Sequence, residues 1–150
     1  MTVLEPGPGM GFFTLPLARM VGPTGRVIAV DLQPKMIVNL KRRAAKANVL
    51  ERIDARVTSA ETMGLDDIDN KVDFTLAFAV VHEFPDAAKF LHEAARASKP
   101  GALLLLAEPR GHVKDKDFAA QLEAASVAGF AVKDRPGIPR SQAALLTKQT

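Results

Sequence analysis

Cysteine is absent from all 150 residues, so this chain has no disulfide, no thiolate metal ligand and no thiol nucleophile. Covalent carbon methylation through a thiolate is excluded with it. Tryptophan and tyrosine are also absent, and phenylalanine is the only aromatic residue. Platforms for stacking bases are therefore poorly supplied. No apolar run approaches the ~18 residues of a membrane-spanning helix. No basic-then-apolar leader opens the sequence. The expectation is a cytoplasmic protein without a membrane partner. His82, His92 and His112 lack metal-ligand spacing, and only scattered carboxylates accompany them, so no metal is expected. Charge of one sign is not extreme either, at net +3. The densest basic cluster, Lys41-Arg42-Arg43 with Lys46, reads as the solvated face of a helix, and nucleic acid is not an expected partner.

What remains is a chain that is 47% hydrophobic and the size of one ordinary domain. Continuous apolar runs at 2–5, 26–31, 72–81 and 102–107 suit parallel strands buried on both faces. A shorter alternating run at 53–57 reads as a further strand. Between them lie helical patterns at 10–21, 33–47 and 87–98, followed by one at 114–128. In the first helix Phe13, Leu17 and Met20 share a face; in the second, Met36, Leu40 and Ala44. Phe118, Leu122, Ala125 and Val127 are the expected apolar contacts of the last. Residues 58–71 read as irregular with one short helical turn. Lys99-Pro100-Gly101 reads as a break, and Glu108 to His112 as a loop. Two last strands, 130–133 and 143–147, flank Pro136-Gly137-Ile138-Pro139, so the final strand is expected to run antiparallel. Alternating strands and helices predict a three-layer α/β sandwich with a mainly parallel sheet of seven strands, and a single domain over 1–150.

The stretch Glu5-Pro6-Gly7-Pro8-Gly9-Met10-Gly11 stands between the first strand and first helix. Glycines there permit positive φ and let the backbone approach a ligand. The following helix points free N–H groups back at the turn. A nicotinamide dinucleotide would want G-x-G-x-x-G or A. Here bulky Phe12 takes the third position, and the observed spacing is G-x-G-x-G. Glu5 would repel a diphosphate but attract an ammonium group. Asp31 ends the second strand, where a carboxylate can accept hydrogen bonds from both ribose hydroxyls.

These pieces carry a resemblance. V-L-E-P-G-P-G-M-G-F-F-T-L-P-L-A, then V-I-A-V-D, then Ala60-Glu61-Thr62, V-D-F-T-L-A-F-A-V-V-H-E-F-P-D and K-P-G resemble the class I S-adenosylmethionine-dependent methyltransferases of the type 11 group. The resemblance implies a Rossmann-like methyltransferase fold and S-adenosyl-L-methionine as cofactor. Glu5, Gly7, Pro8 and Gly9 would then line its methionine part. Asp31 would hold the ribose, while Leu32 and Met36 would flank the adenine, with Ser59, Ala60 and Glu61 at its edge. Phe78 would lie near the reacting methyl. Ser59 replaces an acidic residue common in relatives. The Ala77–Val80 run lacks the Asn-Pro-Pro-Tyr pattern of nucleobase amine methylation, which leaves a small-molecule acceptor as the expectation. His82, just past the fourth strand, is the general-base candidate, with Glu108 and His112 as candidate acceptor-pocket residues.

Relatives usually place helices ahead of the first strand. Here those N-terminal helices are missing, and the expectation is a domain truncated at its N-terminus, or one whose open site is covered by a partner subunit or a homodimer. Two alternatives to methyl transfer stand beside it: a non-catalytic cofactor-binding module acting in a complex, and an NAD-dependent oxidoreductase, which Phe12 and Glu5 disfavour.

Overall fold

The computed structural model describes residues 1–150. The strands are β1 (Thr2–Pro6), β2 (Arg26–Asp31), β3 (Ile53–Val57), β4 (Val72–Phe78), β5 (Ser98–Pro109), β6 (Phe130–Asp134) and β7 (Ser141–Lys148). They form one sheet in the order β3-β2-β1-β4-β5-β7-β6. Neighbours from β3 through β5 pair in parallel, and β7 runs antiparallel to both β5 and β6. The helices are α1 (Thr14–Met20), α2 (Pro34–Lys46), α3 (Ala87–Ala97) and α4 (Asp115–Ala128). The expected seven-stranded α/β architecture with an antiparallel last strand is what forms, and the order reverses at β1 and β4, where such sheets bind ligands.

Local chemistry explains most boundaries. Val27 to Val30 are all buried, as a strand covered on both faces requires. Pro34 occupies the first turn of α2, where its missing N–H costs nothing. Asp86 caps α3, its carboxylate accepting from the Lys89 amide at 3.0 Å. Gly129 ends α4 in the left-handed region, at φ 109°.

Several sequence expectations need correction. The first helix begins only at Thr14, because residues 9–13 are spent on turns. Its buried side chains are Thr14 and Ala18, while Met20 is 80% exposed. Ile37, not Met36, joins Leu40 and Ala44 inside, and Val127 is exposed. The Lys99-Pro100-Gly101 break is absorbed into β5. Val72 and Phe74 face Ser98 and Leu103, so β5 spends five residues where β4 spends two. Glu108 and Pro109 belong to β5, paired with Gln142 and Ser141, rather than to a loop.

The two faces of the sheet are filled unequally. Leu4, Ile28, Leu104, Leu106 and Leu146 enter a cluster of 23 buried residues that takes in Phe90, Leu91 and Phe118 from α3 and α4. On the opposite face, Val27 meets Ala18 of α1 and Ala44 of α2 in a cluster of four. Val3 lies opposite both Val27 and Phe74, so Phe74 and its paired neighbours look to that second face. There Phe74, Phe78, Leu103, Leu105 and Leu145 are only half-buried.

Candidate functional site

The glycine turn follows β1. Gly7, Gly9 and Gly11 all have positive φ, at 68°, 56° and 94°. Their reasons differ. A Cβ on Gly7 would fall 2.6 Å from Val80 Cγ2, and one on Gly11 would fall 2.9 Å from Leu40 Cδ1. Both glycines therefore serve close packing as well as the turn. A Cβ on Gly9 would meet nothing within 4 Å. Gly9 is the place where the backbone lies open to an incoming molecule. The Gly7 amide donates to the Val30 carbonyl at 2.8 Å, tying the turn to β2.

Beneath the turn is a cavity of about 270 Å³ lined by Glu5, Gly7, Pro8, Phe13, Phe78 and neighbours. Glu5 is 3% exposed. Its carboxyl accepts a hydrogen bond from the Thr14 hydroxyl. Burial pushes the carboxyl up to about 7, with the Thr14 bond acting in the opposite direction. Near neutral pH this group is poised between a neutral acid and a carboxylate. A cation placed in the cavity would draw it to the charged form. Phe13 packs on Phe78 with ring centroids 5.2 Å apart, and Phe12 stands edge-on to Phe13 at 5.0 Å. Phe12 itself is 82% exposed.

Asp31 ends β2 beside this turn. Its Oδ1 accepts from the Gln33 amide at 2.9 Å, and its backbone carbonyl accepts from Thr58 at 2.9 Å. Oδ2 has no protein partner. Leu32 is exposed and Met36 half-buried beyond it. Ser59 is exposed on the segment leaving β3. Ala60 and Glu61 line a separate cavity of about 210 Å³ with Phe84 and Phe90. The structure thus gathers Glu5, Gly7, Pro8 and Phe78 around one space, with Gly9 in the same turn, and sets Ala60 and Glu61 against another.

His82 lies in a short 3₁₀ turn, Val81–Glu83. It faces a third cleft rather than the Glu5 cavity. Its Nδ1 is 3.0 Å from Glu108 Oε1, and its backbone N–H donates to Glu108 Oε2 at 3.0 Å. Gln121 Nε2 donates to the same Oε2 at 2.8 Å. Glu108 is wholly buried. His112 stacks on His82 with centroids 5.9 Å apart. His92 is exposed on α3. Gln121 escaped sequence reasoning, although it shares a helix face with Phe118 and Ala125, three residues before it and four after. The inward direction of Glu108 was available from its period-two phase with Leu104 and Leu106.

A positive-φ glycine turn after β1, a buried acid beneath it and an aspartate ending β2 stand together at the switch point of the sheet, where α/β domains of this kind bind their ligands. The family is specific. Residues 4–106 match the methyltransferase domain family, and the chain belongs to it, within the class I S-adenosylmethionine-dependent methyltransferases. An arsenite methyltransferase of Halobacterium salinarum is 32% identical over 107 residues, covering 71% of this chain and 27% of that protein. A ubiquinone/menaquinone biosynthesis C-methyltransferase of an Enterobacter species is 32% identical over 108 residues, covering 71% of this chain and 42% of that protein. The chain therefore spans well under half the length of these curated relatives. The crystal structure of an S-adenosylmethionine-dependent methyltransferase from Aquifex aeolicus superposes with a TM-score of 0.85 at 26% identity, over 100% of this chain and 82% of that one. No helix here is long and apolar enough to cross a membrane.

Proposed function

We propose that these residues form the cofactor-binding core of a methyltransferase that transfers a methyl group from S-adenosylmethionine to a small-molecule acceptor. The observation that carries this reading is the buried Glu5 carboxyl beneath an open glycine turn. That donor set fits an amino-acid-bearing cofactor: a carboxylate for the ammonium, open backbone at Gly9 and a free Asp31 Oδ2 for a ribose hydroxyl. The cofactor would supply the activated methyl on its sulfonium, so the protein's work is binding and orientation. Glu5, Gly7, Pro8 and Gly9 would hold the amino-acid end and Asp31 the ribose. Leu32 and Met36 would flank the adenine, Ser59, Ala60 and Glu61 would border it, and Phe78 would face the methyl. His82, the general-base candidate, opens on a cleft apart from the Glu5 cavity with its ring held by Glu108, so the proposal gives it no part in the transfer.

The acceptor is proposed to be a small organic molecule. One relative is named for arsenite, but these residues offer no thiolate for a soft metalloid. The other is named for quinone biosynthesis, and the apolar lining of Phe13 and Phe78 supports an acceptor of that general polarity. A second reading, cofactor binding without transfer inside a complex, is favoured by exposed Phe12 and the half-buried sheet face. Titration calorimetry with S-adenosylmethionine, with NAD as comparison, tests the cofactor. Tighter binding of NAD would reject the assignment. Transfer of labelled methyl to a metabolite panel then separates the two readings: binding with no transfer, even beside candidate partners, supports the second.

A further inference from the structure

A cleft of about 570 Å³ lies between α4 and the connection from β6 to β7, residues 135–140. Small-molecule sites generally measure roughly 300–1,000 Å³. Pro109 at the end of β5 pairs with Ser141, so the cleft stands at the carboxyl edge of the parallel strands. It shares no residue with the Glu5 cavity. Leu122, Ile138 and Phe118 supply apolar lining, while Arg110, Arg135 and Asp115 bring charge. Arg135 is the fixed point. Its Nε donates to the Ala143 carbonyl at 3.1 Å, and its guanidinium carbon stands over the Phe118 ring, 5.7 Å from the centroid. Ala143 and Phe118 both line the cleft, so the guanidinium they hold is at its wall. With Nε and one flat face engaged, both Nη groups keep their donors free of protein acceptors. The ion pairs of the protein take in none of Arg110, Arg135 and Asp115. The cleft thus holds two guanidinium groups and one carboxylate that do not neutralise one another, an excess of one positive charge.

A guanidinium fork matches the two oxygens of a carboxylate in one plane. Holding it in place beforehand reduces the entropy lost when a ligand arrives. The single excess charge selects a monoanion, and the apolar lining selects an organic body. We propose that this cleft binds an apolar monocarboxylate, its carboxylate on the Arg135 fork, Arg110 as the second cation and its body against Leu122 and Ile138. Asp115 opposes the ligand's charge and keeps affinity below what the two arginines alone would give. The site stands on the cleft's own groups and does not require the methyl-transfer reading.

The test is a titration of the full chain with benzoate, followed by proton–nitrogen correlation of the backbone amides and of the arginine Nε–H signals. Benzamide and benzylammonium serve as a neutral and a cationic probe of similar shape, and inorganic phosphate as an anion without an apolar body. Saturable, weak binding of benzoate is expected, as for any ligand this small. It should move the Arg135 Nε–H and the Ile138 amide together. Arg135→Met keeps an apolar side chain over Phe118 but loses the fork, and should weaken binding about fivefold or more. Arg110→Gln, an exposed substitution, should weaken it roughly two- to fivefold, and Asp115→Asn should tighten it by about as much. If Arg135→Met does not fold, Arg110→Gln, Asp115→Asn and the probe comparison decide alone. Absence of saturable shifts at the cleft would overturn the proposal. So would an equal or stronger response to benzamide, benzylammonium or phosphate, full affinity in either arginine variant, or weaker binding in Asp115→Asn.

Discussion

Replacing Glu5 by glutamine should make the protein more stable above neutral pH and a poorer binder of its cofactor. The folded carboxyl is pushed up from 4.5 to about 7 by burial. Between those values the folded state holds a proton that the unfolded chain has released. Stability from this group is therefore fully present below about pH 4.5, falls through the interval and levels off above about pH 7. At about 1.4 kcal/mol per pH unit the loss is on the order of 3 kcal/mol. Glutamine titrates nowhere and can still accept the Thr14 hydroxyl bond. Glu5→Gln should match the parent near pH 4.5 and exceed it at pH 8 by up to that amount, roughly 6–12 °C in Tm for a chain of this size. Asp54 and Asp73, held below the usual carboxylate range by hydrogen bonds from Arg56 and Lys99, contribute the opposite slope in acid. They do so equally in both proteins, so the difference curve isolates Glu5. Urea unfolding at half-unit steps from pH 4.5 to 8 measures it. Parallel curves, or a variant less stable at pH 8, would refute the reasoning. Calorimetry should show the reverse ranking for S-adenosylmethionine: the parent's affinity rises through pH 7, and the variant's stays low and flat.

Asp31→Ala should weaken cofactor binding while thermal stability changes little; equal affinity by calorimetry would remove the ribose assignment. Gly7→Ala should destabilise more than Gly9→Ala, because only at Gly7 does a collision with Val80 add to the strain of positive φ. Denaturation midpoints in the opposite order would contradict that account. In Arg56→Met, the guanidinium that joins Asp54 on β3 to Asp67 and the Gly64 carbonyl is lost. Residues 58–71 should then be cut faster by a nonspecific protease while the sheet stays intact; an unchanged cleavage rate would falsify the tethering role.

The sheet was legible because its strands are written in the plainest code. The apolar run Arg26–Asp31 and the alternating Ile53–Val57 fall where the pattern predicts, and Asn48 ends α2 at positive φ as a helix stop should. Period alone misled at α1. Phe13, Leu17 and Met20 have helical spacing, but the helix turns Thr14 and Ala18 inward. Thr14 serves Glu5, and a small side chain at Ala18 lets the helix approach β2. The placing of the glycine turn after β1 and of Asp31 at the end of β2 was legible because it rests on backbone conformation and strand ends. The partnership of His82, Glu108 and Gln121 was not, since it joins residues 26 and 13 positions apart through one buried carboxylate.

The unequal filling of the two sheet faces has a consequence for how the molecule breathes. A helix pair sealed into a cluster of 23 buried residues and one packed through Ile37, Leu40 and a separate cluster of four should not open at the same free energy. Amide protons of α3 and α4 should exchange with solvent only near global unfolding, while those of α1 and α2 exchange through smaller openings. The glycine turn belongs to the looser half. A ligand held there between β1 and α1 would suppress those openings, so its arrival should be recorded as slowed exchange along α1 and α2, on amides it never touches.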